Sequence, residues 1–322
     1  MAKIVIPAIA VAMLMAVLIL WLAGERWRLL RRSTWEGLRA GGLRNLLNFR
    51  SLHMYVYLRW YNQYLKALIR IILPHGVAHS GRRTKKWLAD QHHSKVLTPE
   101  LAQAIITNHH EIPLYDLEQI IPYSMARNLV LNGPPDVAVS ECPCRNSRKN
   151  PCQPTQVCMI IGQPFVNFAL EHHPQSSRRL TQSEALELLR AEHERGHVHT
   201  AWFKDACLDR FYAVCNCCKC CCGGIEAMVK YGAPVIASSG YVARVDEKLC
   251  AACGKCETVC PFEAIQVDKK AVVSWEACMG CGVCVDQCLR EAISLSLDEK
   301  KGVPMDVRII NSDTKNEAKE RR

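Results

Sequence analysis

No Gly-x-Gly-x-x-Gly turn and no Gly-x-x-x-x-Gly-Lys-[Ser/Thr] loop occurs in the sequence, so neither a dinucleotide fingerprint nor a phosphate-cradling loop is present. No Cys-x-x-Cys is followed by His, which removes covalent c-type haem. No charged side chain interrupts Ile4 to Leu22, and no twin arginine precedes that run. Cysteine, by contrast, is plentiful: 19 in 322 residues. Disulfide scaffolds belong to short secreted chains, and these cysteines fall into clusters too tight to pair internally, so metal is the expected use. With 49% hydrophobic and 22% charged residues the chain can bury a core, and its length suits two domains.

The run Ile4–Leu22 is long enough to cross a bilayer as a helix. A signal peptide would carry a shorter apolar stretch behind a basic one, and only Lys3 precedes this run, so residues 1–24 are expected to be an uncleaved transmembrane anchor. From Glu25 to Lys95 fifteen Lys and Arg oppose only Glu25, Glu36 and Asp90, giving +12 there against +10 for the whole chain. The positive-inside rule then places the N-terminus outside and everything after Gly24 in the cytoplasm. The expected location is the cytoplasmic membrane, single-pass, with the cysteines on the reducing side. Between Leu52 and Leu73, Arg59, Asn62, Gln63, Lys66 and Arg70 recur at helical spacing, which predicts an interfacial or partner-binding helix. Its expected partner is the membrane, with no nucleic acid expected.

Thr98-Pro99-Glu100 reads as an N-cap and helix start. Asp116 to Leu131 reads as a further short helical pattern, Asp136–Ser140 as a strand delivering Glu-Cys-Pro-Cys-Arg, and Thr181 with Glu184 as a capping box for a helix ending at Gly196. From Asp298 the chain is charged and poor in core residues, which predicts a mostly disordered tail over 298–322.

The decisive pattern starts at Cys250: Cys250, Cys253, Cys256 and Cys260 repeat as Cys278, Cys281, Cys284 and Cys288, both spaced C-x2-C-x2-C-x3-C. Three thiolates so spaced wrap one cubane through a turn of small residues, while the fourth is carried on a helix to the other cluster, so two 4Fe-4S clusters are expected. Structural zinc also accepts four thiolates, but requires neither the interleaved repeat nor its x3 spacing.

Over Tyr241 to Leu297 the chain resembles bacterial dicluster ferredoxins. The resemblance implies one cluster on Cys250, Cys253, Cys256 and Cys288 and a second on Cys260, Cys278, Cys281 and Cys284. Pro261 follows Cys260 as that family expects, whereas Leu289 replaces the proline after Cys288. The cluster ligated by Cys288 is therefore expected to differ modestly in potential or solvent access.

Upstream lie Cys142, Cys144, Cys152 and Cys158, then Cys207 alone, then Cys215, Cys217, Cys218, Cys220, Cys221 and Cys222, followed by Gly223-Gly224. Adjacent cysteines cannot all point at one metal, so three or four of the second group would reach a cluster and the rest would face another site or a core. From Val137 to Leu297 the pattern of CPCR, Gly-His-Val-His, CNCCKCCC and the ferredoxin repeat resembles multi-cluster ferredoxin-like proteins of anaerobic bacteria and archaea. That likeness implies a third iron-sulfur cluster drawn from these cysteines other than Cys207, ten candidates in all, with no substrate attached. Arg145, Arg148 and Lys149 would either offset cluster charge or be solvated loop charges. Among the 12 histidines only His197 and His199, near the cysteines in sequence, are candidate ligands, and Cys207 reads as a buried thiol.

The expected fold class is α+β: an N-terminal transmembrane helix, a basic juxtamembrane helical region over 25–95, a cysteine-rich α/β domain over 96–240 and a ferredoxin-like dicluster domain over 241–297. The expected function is membrane-anchored electron transfer, relaying single electrons to a redox partner protein. Its alternatives are an oxidoreductase with an unusual cluster built from CPCR and CNCCKCCC, or an iron-sulfur or metal-handling protein. Whether the chain is itself an enzyme is left open, and no catalytic residue is assigned.

Overall fold

The computed structural model describes residues 13, 15–17, 19, 24–25, 28–40 and 49–310. Its centre is a nine-stranded mixed sheet. The main path runs β6 (Ser177–Leu180), β4 (Val137–Glu141), β5 (Gln156–Ile161), β8 (Arg210–Cys217), β7 (Val198–Lys204), β1 (His92–Leu97) and β9 (Ile236–Ala237). The hairpin of β2 (Ile112–Asp116) and β3 (Asn128–Leu131) joins it through β3 beside β8. All seven residues of β7 are buried, as befits a central strand covered on both faces.

One face carries helix Gln182–Glu194 against helix Pro99–Ile106. The first opens with the expected capping box: Glu184 N–H donates to Thr181 Oγ1 at 3.2 Å and Thr181 N–H donates to the Glu184 carboxylate at 2.8 Å. The second has Thr98 as N-cap and Pro99 in its first turn. Residues 116–131 are not helical. Leu117, Ile120, Ile121 and Tyr123 are buried from a turn between β2 and β3, because a short apolar run fills a core equally well without helical periodicity.

The other face is covered by Phe49–Arg59, Tyr61–Ala67 and a π-type turn of helix, Leu68–Val77, in which Pro74 cannot donate to the helical ladder. This basic region folds onto the sheet rather than standing apart from it. Tyr55, Tyr57, Ile69 and Leu73 are buried. Tyr55 and Arg59 both donate to the Glu25 carboxylate, at 2.9 and 2.8 Å, and Arg70 donates to the Ser147 carbonyl at 2.7 Å.

Among the described residues no helix is long and apolar enough to cross a membrane. This overturns the expected transmembrane helix and with it the single-pass membrane location. Of the run itself only Met13, Met15, Ala16, Val17 and Ile19 belong to the described residues, and the rest of Ile4–Leu22 lies outside them. The physical reason for the correction lies in the residues C-terminal to the run: Glu25 is buried among aromatic and arginine side chains of the same chain, and the basic helices spend their apolar face on the sheet.

Residues 241–297 form two small antiparallel sheets, β10 (Tyr241–Val245) with β13 (Ile293–Leu297) and β11 (Ile265–Val267) with β12 (Ala271–Val273). Their core is continuous with that of the large sheet. Gln287 Nε2 donates to the Glu194 carbonyl at 3.1 Å, and His193 pairs with Asp286. The segment read as a disordered tail starts with ordered chain, since Met305, Val307 and Ile310 are buried; residues 311–322 lie outside the described residues.

Candidate metal centres

The two cysteine repeats of residues 241–297 fold alike. Gly254 and Gly282, at φ of +77° and +85°, turn the chain between the second and third cysteine, and each is followed by a short helix, Lys255–Val259 or Val283–Asp286. Cys250, Cys253 and Cys256 lie within electrostatic reach of one another. Cys260 leaves its own repeat and faces Cys278, Cys281 and Cys284. These four line a cavity of about 20 Å³. Backbone N–H groups aim at the sulfurs: Ala264 at Cys260 (3.3 Å), Ala243 at Cys278 (3.5 Å) and Ala271 at Cys250 (3.5 Å). Such donors stabilise thiolate and tune a cluster's potential. Those of Ala271 and Ala252 hold Cys250 below the ordinary thiol value, while burial pushes Cys281 up to about 12. Gly280 is required by contact: a Cβ there would lie 2.2 Å from the Tyr241 carbonyl oxygen. Cys288 is half-buried, and Leu289 beside it is 85% exposed where its counterpart Pro261 lines the cavity.

Residues 243–289 match the 4Fe-4S dicluster domain family. The match covers the ferredoxin segment only, and among curated proteins and solved structures nothing matches the chain. A dicluster domain implies two iron-sulfur clusters and iron-sulfur electron transfer, and the donor set, the cavity among four thiols and the N–H groups aimed at sulfur fit that cofactor. Cys256 and Cys284, one from each repeat, lie within electrostatic reach of each other, so the two sets adjoin.

Outside the dicluster domain the ten candidate cysteines separate into two sets. The first is compact: Cys152, Cys218, Cys220 and Cys221, whose sulfurs all lie within 4.8 Å of one another. The second is a chain of thiol contacts running Cys215–Cys158–Cys142–Cys144–Cys222–Cys217, the last pair 3.2 Å apart. Sheet register builds it. Met159 pairs with Val214 in antiparallel β5 and β8, so one step on Cys158 stands opposite Cys215, and Cys217 shares the face of Cys215 by the two-residue pleat. Cys142 and Cys144 arrive on the short helix after β4, and Cys222 caps helix Gly223–Val229.

These six thiols, with Cys218 of the compact set beside them, form one wall of a cavity of about 140 Å³, covered by Tyr57, Tyr61, Leu68, Ile69 and Leu73 of the basic helices. Backbone N–H groups of Arg145, Gly223 and Ile225 lie close to Cys142, Cys144 and Cys222, where they favour the thiolate. Gly223 and Gly224 serve close packing: Cβ atoms there would lie 2.7 Å from Ile69 and from the Trp202 ring. The roof was hidden in sequence, where its apolar residues read as a lipid or partner face; the aromatic spacing of Tyr57, Tyr61 and Tyr64 was the available signal.

Behind both sets lies the fully buried Arg145 of CPCR. It donates to Glu192 at 2.7 Å, to the Asn216 carbonyl at 3.1 Å and to the Pro154 carbonyl, and its Nη2 stands 3.2 Å from His197 Nδ1. One guanidinium thus ties the CPCR turn to β8 between Cys215 and Cys217 and to helix Gln182–Glu194. Glu192 stays below the usual carboxylate range: burial raises it, but His197 and Arg145 outweigh that. Arg145 is also within reach of Cys142 and Cys218, and Arg148 of Cys144 and Cys221. Lys149 is exposed.

His197 and His199 are not brought to the thiols. His199 pairs across the sheet with Asn216, has its Nδ1 2.7 Å from Asn216 Oδ1, and tilts over His193 on the helix Gln182–Glu194 face. Cys215 and Cys217 flank Asn216 and therefore point to the opposite face. Burial pushes His199 down to about 4, so it is neutral. Cys207 is fully buried, as its isolation in sequence suggested.

Proposed function

We propose that the chain is an iron-sulfur electron-transfer protein in which the two clusters of the dicluster domain exchange single electrons with a third iron-sulfur cluster held by Cys142, Cys144, Cys158, Cys215, Cys217 and Cys222. The observation that carries this reading is the cavity beside those six thiols, about 140 Å³ against about 20 Å³ at the ferredoxin thiols of the same chain. Bound there, the cluster would supply one-electron redox chemistry. The chain's own work is to aim thiolates and N–H donors into one space, to exclude water with the helical roof, and to hold the dicluster domain against the sheet. Cys253 is exposed, which leaves an edge of the first ferredoxin set open to a redox partner protein.

A second reading, an oxidoreductase, is favoured by the apolar wall of the same cavity, which has room beyond the thiols for a small apolar molecule. The test is iron and acid-labile sulfide on anaerobically purified protein, with Mössbauer spectra. About eight irons belong to two cubanes. About twelve with matching sulfide, falling to about eight in a Cys158→Ser/Cys217→Ser variant, is the expected result. A wild-type count that stays near eight sinks the third cluster.

A further inference from the structure

The compact set Cys152, Cys218, Cys220 and Cys221 differs from every other cysteine group in one respect. Among the described residues it is the one group of metal-ligating side chains whose donor atoms all lie within 4.8 Å of one another. The ferredoxin thiols, which surround a cavity, do not close up in this way. Four thiolates bound to one ion at about 2.3 Å in a tetrahedron have sulfurs a little under 4 Å apart, whereas a cubane holds its ligand sulfurs outside an intervening cage. With all four sulfurs within 4.8 Å of one another, a small outward relaxation of the Cys152–Cys220 pair admits a single ion, whereas a cage would have to push every sulfur apart.

We propose that Cys152, Cys218, Cys220 and Cys221 form a mononuclear tetrahedral thiolate site for one divalent ion, zinc or iron, separate from any iron-sulfur cluster.

The surroundings suit such a site. Four thiolates around a divalent ion carry a net charge of −2, and the guanidinium groups of Arg145 and Arg148 lie within reach of Cys218 and Cys221. The Cys152 backbone N–H lies close to Cys221 and favours its thiolate. Arg148 also donates twice to the Cys221 carbonyl, at 3.0 and 2.9 Å, and pairs with Glu226, so the loop is held before any ion arrives. Cys152 comes from the loop between the CPCR helix and β5, and the other three from the loop after β8, so the ion would clip together two segments 66 residues apart. Between Cys218 and Cys220, Lys219 donates to the Thr258 carbonyl at 3.4 Å, on the helix that carries Cys256 of the dicluster domain. The clipped loop thus touches the ferredoxin segment, alongside the contacts made by His193 and Glu194, and the ion would help to fix how the two regions meet.

This inference is independent of the third cluster, and the measurement separates them. The full chain, purified anaerobically, is compared with Cys152→Ser/Cys220→Ser by elemental analysis, acid-labile sulfide and X-ray absorption at the zinc and iron edges. The expected result is loss of one ion per chain with no loss of sulfide and no change in the ferredoxin EPR signals. The zinc edge, or a mononuclear high-spin iron signature, then says which ion it is. Loss of about four irons with about four sulfides would overturn the proposal in favour of a cluster, and an unchanged metal content would overturn it outright. Native mass spectrometry of the unmodified protein covers the case of a variant that does not fold: one ion beyond the masses of intact clusters supports the site, and a mass made up of clusters alone refutes it.

Discussion

The dicluster domain and the cysteine-rich sheet bring thiols together by opposite means. In the dicluster domain the candidate ligands sit in two short stretches of chain, 250–260 and 278–288, backed by two two-stranded sheets whose apolar side chains join the edge of the large sheet's core. In the sheet domain the six cavity thiols come from a nine-stranded framework whose register, not spacing along the chain, decides who meets whom. The first arrangement is set by local spacing along the chain; the second is set by long-range register.

Removal of iron is where the two regions should part most widely. Thiolate–metal bonds contribute free energy on the order of 10 kcal/mol in small thiolate domains, which otherwise lack the buried surface to stay folded. Chelation under mild oxidation should therefore open residues 241–297, while β7 and β8 stay closed. Hydrogen exchange read by mass spectrometry checks this. Equal protection of β10 and β7 in the metal-free chain would remove the distinction.

A smaller effect is expected from the buried network that preorganises the sheet cysteines. Arg145→Ala leaves Glu192 buried with only His197 and Arg195 as partners, a loss near the lower end of about 3–5 kcal/mol for breaking a buried pair. Because Arg145 ties CPCR to β8, the variant should lose metal from both upstream sets and keep the two ferredoxin EPR signals. Thermal unfolding with iron analysis measures both, and a variant that keeps its full metal complement would show that the six thiols assemble without this anchor.

Legibility in the sequence divides along the same line. The ferredoxin repeat was legible because its ligands are neighbours in sequence and its turns need small residues at fixed offsets. The Thr98 cap and the Thr181–Glu184 box were legible because each is a local hydrogen-bonding device, and the strand read at Asp136–Ser140, found at Val137–Glu141, because a short apolar run bounded by turn residues marks one. The division of the upstream cysteines into six and four was not, because it depends on Cys158 facing Cys215 across β5 and β8, a pairing no local pattern announces. For Arg145 the sequence leaves open whether it offsets cluster charge or is a solvated loop charge, because burial with Glu192, 47 residues away, is a tertiary fact. The basic helices misled for a related reason: an amphipathic face says that something apolar is covered, and here the chain's own sheet takes that place.

The smallest expected effect falls on His199, and it tests the pleat argument directly. Sequence proximity makes His199 a candidate ligand, whereas the register places it opposite Asn216, on the other face from Cys215 and Cys217. It is buried and neutral, with its Nδ1 2.7 Å from Asn216 Oδ1. His199→Gln retains a donor for that oxygen and should cost about 1 kcal/mol, the scale of one intramolecular hydrogen bond. Iron, zinc and sulfide should be unchanged, because nothing that faces the thiols has been touched. If instead metal content fell while thermal stability held, His199 would have to reach the thiol face, which an antiparallel strand in this register does not allow, and the assignment of six thiols to one wall of the cavity would fall with it.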